Sequence, residues 1–370
     1  FFSTLSTTPR IMIDGAKADF IDDAILAGGD VNEKDEAGIS ALMWTAMKGN
    51  VAAMQQLLAA PGIDVNYKPP PNAVAGRTAL CIAAASGDVM AVETLLGHPD
   101  IDVNAGCSLD GRPPLTYTML CGKVDAFQAL MAAKNLDVNR RDDEGETPLM
   151  FAMSDIGEGV CHRNGMVEAL LACPGIDASG TGKMGRSALH YAITGRRGEQ
   201  QLSKLLQMPG IDVNLVDEDG WTVLVAALEM GRDVGVVQQL LAAPGMNVNL
   251  QNSTGETALM CAARKQVHPD ILQALLQSPG IDVNLKNKWG GTALTIAATP
   301  SSYSSQEHSL THVKMLLACP GIDLLEPRDN PKKIPAAVAR VGKCLIQTAT
   351  RAQLAKEEGG QQCQDDSDSD

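Results

Sequence analysis

The chain's possible chemistry lies in six histidines, nine cysteines and a recurring aspartate phrase. Cys161-His162 is a pair of soft donors that could ligate zinc. A zinc site needs two further ligands at fixed spacing, and none follows. His308 and His312 stand four apart, on one face of a helix. They border a serine-rich stretch and read as an exposed polar face. Gly180-Thr181-Gly182-Lys183 resembles a phosphate cradle, but Met184 stands where the hydroxyl residue after the lysine belongs. No cysteine pair has CxxC spacing. Cys81, Cys173, Cys261 and Cys319 fall in apolar helical stretches, which predicts reduced, buried thiols. No catalytic set, cofactor or metal is therefore expected, and the chain reads as a non-enzyme.

The aspartates recur for another reason. PGIDVN stands at 61–66, 209–214 and 279–284, with variants at 99–104, 174–179, 244–249 and 320–325 and shorter echoes ending at Asn32 and Asn139. A phrase that returns this often is the seam between copies of one structural unit. Its Asp is expected to hold the turn backbone.

A second phrase is locked to the first. About six residues after each DVN, or its counterpart, stands Gly-x-(Thr/Ser/Pro)-(Ala/Pro/Val)-Leu, as in GRTAL at 76–80, GETPL at 145–149 and GETAL at 255–259. Gly supplies a positive φ, Thr or Ser caps a helix, and Pro fits its first turn. A short helix follows, then a turn. A second helix closes on Leu-Leu at 57–58, 95–96, 170–171, 205–206, 240–241, 275–276 and 316–317. The turn glycines 38, 76, 111, 145, 185, 220, 255 and 290 are separated by 38, 35, 34, 40, 35, 35 and 35 residues. Three Gly-, Pro- or Ser-rich stretches interrupt the rhythm at 67–76, 154–165 and 299–309, and each predicts an exposed loop.

The organisation expected is a flexible lead-in over 1–15, a capping half-repeat over 16–32, about nine repeats over 33–357 with a degenerate last copy, and a disordered acidic tail over 358–370. Aromatics are only 3% of the chain, so the core must be aliphatic. The net charge of −14 argues against a nucleic-acid partner and against an anionic membrane. It favours a protein or peptide partner of basic or mixed charge. No apolar run reaches the roughly 18 residues of a membrane span. An intracellular, cytoplasmic or nuclear monomer is expected.

With both phrases in fixed register, the chain resembles the ankyrin-repeat family. GETPLMFA at 145–152, GRSALHYA at 185–192 and PGIDVN carry the resemblance, which covers about residues 16–357. It implies an all-α solenoid of helix–turn–helix units joined by β-turn fingers. The family histidine after Leu survives only as His190, with Ser187 as its partner. Met43, Cys81, Thr116, Met150, Val225, Met260 and Thr295 stand elsewhere, which predicts apolar packing in place of the histidine's bonds.

The resemblance implies a protein-interaction scaffold that binds on a concave face of fingers and first helices. The positions it singles out are Glu218, Asp219 and Trp221, Lys288 and Trp289 on fingers. At first-helix ends they are Met47 and Lys48, Leu120, Glu229 and Met230, and Arg264 and Lys265. Trp44, inside a first helix, reads as core. The alternative is the targeting domain of a larger enzyme or adaptor, such as a ubiquitin-ligase subunit or a kinase. The resemblance also implies Asn66, Asn104, Asn214, Asn249 and Asn284 as substrates of an asparagine hydroxylase, each with Leu eight residues before it.

Overall fold

The computed structural model describes residues 30–154, 163–195, 201–298 and 306–323. The lead-in, most of the capping half-repeat, the degenerate last repeat and the acidic tail lie outside these residues. So do most of the interruptions at 154–165 and 299–309.

Each described repeat has a finger turn followed by two helices. The first helices are Ala41–Lys48, Ala79–Ser86, Pro114–Leu120, Pro148–Met153, Ala188–Thr194, Val223–Glu229, Ala258–Lys265 and Ala293–Ala297. The second helices are Val51–Leu58, Val89–Leu96, Val124–Met131, Arg163–Leu171, Leu202–Leu206, Val234–Leu241, Pro269–Leu276 and Gln306–Leu317. Among the described residues the backbone forms no strand. Two antiparallel bridges, Lys34 with Ser40 and Val216 with Thr222, close finger bases.

The turn chemistry follows from single residues. All eight turn glycines have φ between +67° and +83°. At Gly220 the demand is double, because a Cβ there would lie 2.4 Å from the Ser253 backbone nitrogen. Ser40, Thr78, Thr147, Thr222, Thr257 and Thr292 each accept a backbone N–H from the helix they start. Pro113 replaces the cap in the third repeat, and that helix has no side-chain cap.

The helices are buried differently. First helices other than Ala293–Ala297 are buried almost all round, as at Ala41–Ala46 and Ala79–Ala84. A helix apolar on every side must have neighbours on every side. Second helices bury one stripe, such as Met54 and Leu57, or Val236, Val237 and Leu240. In every Leu-Leu pair the first leucine is buried and the second half-buried.

The chain divides into two compact blocks. One comprises residues up to Lys183 with Gly195–Gly210, and the other Met184–Thr194 with the residues from Ile211. Within each block first helices stack on first helices and second on second. The core is largely aliphatic, as the composition requires, with Trp44 the largest buried side chain among the described residues. Its indole Nε1 donates to Asp35 Oδ2 at 3.0 Å.

Three expectations are corrected. His312, expected on an exposed polar face, is buried, and its Nε2 lies 2.8 Å from the Val267 carbonyl. Cys81 and Cys261 are buried, but Cys173 and Cys319 are half-exposed. Both follow the Leu-Leu-Ala end of a second helix, where the chain turns toward Pro-Gly and leaves the buried stripe. Apolar packing does replace the family histidine at Met43, Cys81, Met150, Val225 and Met260. At Thr295 a polar bond is rebuilt instead. Its hydroxyl accepts from the Thr292 backbone while Thr292 caps Thr295 in return.

Candidate functional site

Two edges of each repeat compete for a functional reading: the DVN joint and the finger with its first helix. The joint is bonded to itself. Asn66 Nδ2 donates to the Asp100 carbonyl at 2.7 Å, and its Oδ1 accepts from the Asp102 N–H at 2.8 Å. Asn32, Asn104 and Asn139 repeat this bracket in the first block. Asn214, Asn249 and Asn284 repeat it in the second. The joint aspartates accept the N–H two residues on, as at Asp64 and Asp282. Ser179 occupies an asparagine position, and its hydroxyl turns to its own Asp177 at 2.6 Å. The five asparagines singled out for hydroxylation are thus all engaged through both amide atoms. An enzyme acting on them would first have to open the bracket.

Ser187 and His190 have the outline of a nucleophile and base. Ser187 Oγ lies 2.9 Å from His190 Nδ1, and His190 Nε2 lies 3.1 Å from the Trp221 carbonyl. A carbonyl only accepts, so Nε2 carries the proton and Nδ1 takes the serine's. Burial lowers the His190 pKa, which keeps the ring neutral. Both side chains are buried, so the pair ties a helix start to the next finger and has no access to a substrate.

A second polar cluster lies in the first block. Cys107 donates to Asp110 Oδ1 at 2.6 Å and accepts from the Tyr117 hydroxyl at 3.2 Å. The Arg77 guanidinium lies 4.7 Å from the Tyr117 ring centre, and Arg112 lies 5.2 Å from that of Phe151. Burial pushes the neighbouring Cys81 thiol up to about 12, so it stays protonated. Among the described residues no group of three His, Cys, Asp or Glu side chains could hold a metal ion.

On the fingers, an acid or amide three residues before the turn glycine clamps the loop. Asp35, Asp142, Asp217, Asn252 and Asn287 each accept the N–H four residues ahead. This clamp was missed in the sequence, although its spacing from the glycine is visible there. Asp142 is buried enough that desolvation raises its pKa against the pull of its backbone bonds and Arg112.

The singled-out residues divide into tied and free. Glu229, Arg264 and Lys265 come together: Arg264 and Lys265 both pair with Glu229, Lys265 at 2.7 Å. Arg264 also reaches Glu256 at 3.4 Å, and the Cys261 thiol donates to Glu229 at 3.1 Å. Burial pushes Glu229 up, but the bonds from Lys265, Cys261 and Arg264 outweigh it and hold the carboxyl below its usual range. Asp219 pairs with Arg186 at 3.2 Å, a partner the sequence did not point to, while Glu218 is exposed. Trp221 is half-buried at a finger base, its backbone clamped by Asp217. Met47 and Leu120 are half-buried and Lys48 is exposed. Met230 is exposed, and Trp289 is 72% exposed beside exposed Lys288. Leu109, not singled out, is an exposed apolar finger residue of the first block.

Among the described residues no helix is long and apolar enough to cross a membrane. Three copies of the ankyrin-repeats family model match the chain, at residues 12–107, 189–287 and 233–327. No curated protein matches it. Ankyrin repeats generally mediate protein–protein interaction and are typically non-enzymatic. With its turn glycines, capped first helices and asparagine brackets in register, and with most of its length matched, the chain belongs to the ankyrin-repeat family.

Proposed function

We propose that the chain is a non-enzymatic scaffold that holds a protein or peptide along its fingers and first-helix ends. The observation that carries this reading is Trp289, 72% exposed on a finger whose backbone is clamped by Asn287. A large aromatic on a fixed backbone has only two side-chain torsions to order on binding, and Trp is among the residue types most enriched in interface hot spots. The joint edge offers no comparable group, because its amides are already spent on the next repeat.

Capture of partners by the wild-type chain and by a Trp289→Ala/Met230→Ala variant tests the reading. Loss of the principal partners from the variant, with unchanged thermal unfolding, is expected. An unchanged partner list would show that another face binds.

A further inference from the structure

Net charge favours a basic partner for the chain as a whole, yet the most exposed large apolar side chain among the described residues stands next to lysines in sequence. The eighth finger reads Lys286-Asn287-Lys288-Trp289. Its backbone is fixed from several sides. Asn287 Oδ1 accepts from the N–H groups of Trp289 at 3.1 Å and Gly291 at 2.8 Å. The Lys288 N–H donates to the Thr254 carbonyl at 3.1 Å, and Gln251 Nε2 donates to the Lys286 carbonyl at 2.9 Å.

Both lysines are exposed. Most described carboxylates of this block's fingers and first helices already have cations, with Glu218 the exception: Glu229 has Arg264 and Lys265, Glu256 has Arg264, and Asp217 and Asp219 have Arg186. Among the described residues Lys286 and Lys288 are in no ion pair, whereas the exposed aspartates Asp212, Asp282 and Asp323 lie on the joint turns. The finger therefore carries an exposed indole and two exposed lysines on a hydrogen-bonded backbone, the lysines in no ion pair among the described residues.

Resting on the reading of this face as the binding surface, we propose that the Lys286–Trp289 finger docks an acidic segment of a partner protein. The segment carries an aromatic or aliphatic side chain with Asp or Glu beside it. The apolar group covers the indole, and the carboxylates take the two ammonium groups, which also steer the encounter. A basic segment would meet two unpaired like charges here and is disfavoured.

The test pans a displayed library of random peptides, each roughly 12 residues long, against the full chain. Enrichment of acidic peptides with one apolar anchor is expected. A fluorescein-labelled member of that set should bind at least about tenfold more weakly to Lys286→Glu/Lys288→Glu and to Trp289→Ala. It should bind within about twofold of wild type to Lys314→Glu, which makes one such charge reversal on an exposed second-helix position. Its affinity should fall as salt rises from about 50 to about 300 mM. Neutral or basic peptides that are lost on Trp289→Ala but indifferent to the charge reversal would overturn the acidic partner and leave the scaffold reading standing. A library yielding no peptide sensitive to either substitution overturns both.

Discussion

The joint and the finger share an Asp or Asn that gathers backbone N–H groups and, at most joints, a glycine at positive φ. They differ in where their bonds go. At the joint, Asn104 spends both amide atoms on the next repeat, on the Asn135 carbonyl and the Asp137 N–H. At the finger, Asn287 spends its oxygen within the loop, on Trp289 and Gly291. The joint side chains are thereby committed to neighbours, so their identity recurs. The finger holds its own shape, and its outward side chains are left to vary. A solenoid whose units touch only their neighbours needs both kinds of edge, one to propagate the stack and one to carry information.

The comparison can be broken where the buried stripe of the second helix leading into the joint is removed. Leu240→Ala should destabilise the chain by about 2–5 kcal/mol, and Leu241→Ala by less than about 1 kcal/mol, since only the first of each pair is buried. Chemical denaturation of the two variants checks this, and equal losses would refute the assignment of the stripe. Asn104→Ala should cost about 1–2 kcal/mol through its lost inter-repeat bonds, read as a lowered denaturant midpoint. A finger substitution sharpens the contrast with a gain. Asp142→Asn should stabilise the fold by up to about 1 kcal/mol at neutral pH, as Asn fills the same clamp at 252 and 287. The sign follows from burial. The Asp142 pKa is raised in the fold, so ionising it costs stability above its folded pKa, and the cost vanishes as pH falls below its unfolded value. The gain should therefore disappear in acid, and a gain that persists there would point to another cause. Ala75 holds φ at +54° beside Val74 at +47°, so Ala75→Gly should add about 0.5 kcal/mol to the thermal stability. Trp289→Ala should change stability by less than about 0.5 kcal/mol while removing partner binding. Stability and binding measured on that one variant separate the finger's role from the joint's.

Much of the fold was legible because its signals are local. Gly38 and Gly76 mark their turns by a conformation other residues resist, and Thr78 and Thr147 mark helix starts by reaching N–H groups three residues on. The site was legible only in outline. Trp221 and Trp289 looked alike, both beside a turn glycine. Trp221 follows its glycine and leads into a helix start, where the fold half-covers it. Trp289 precedes its glycine, at the tip. Arg264 and Lys265 looked like free charges at a helix end, but Glu229 of the preceding repeat takes both. Cys107 gave no signal, since its partners Asp110 and Tyr117 meet it only once the finger folds over the helix.

By itself the sequence determined the repeat period, the turn and cap positions and the two-helix unit, because each depends on residues a few places apart. The tertiary structure alone decided which leucine of each pair is buried, which cations are compensated and which tryptophan stands in water. These outcomes depend on what the adjoining repeat places alongside, as between Asn66 and Asp100 or Arg264 and Glu229, some 34 or 35 residues away. A periodic sequence says that such a neighbour exists, while the contact itself is set only when the two units pack.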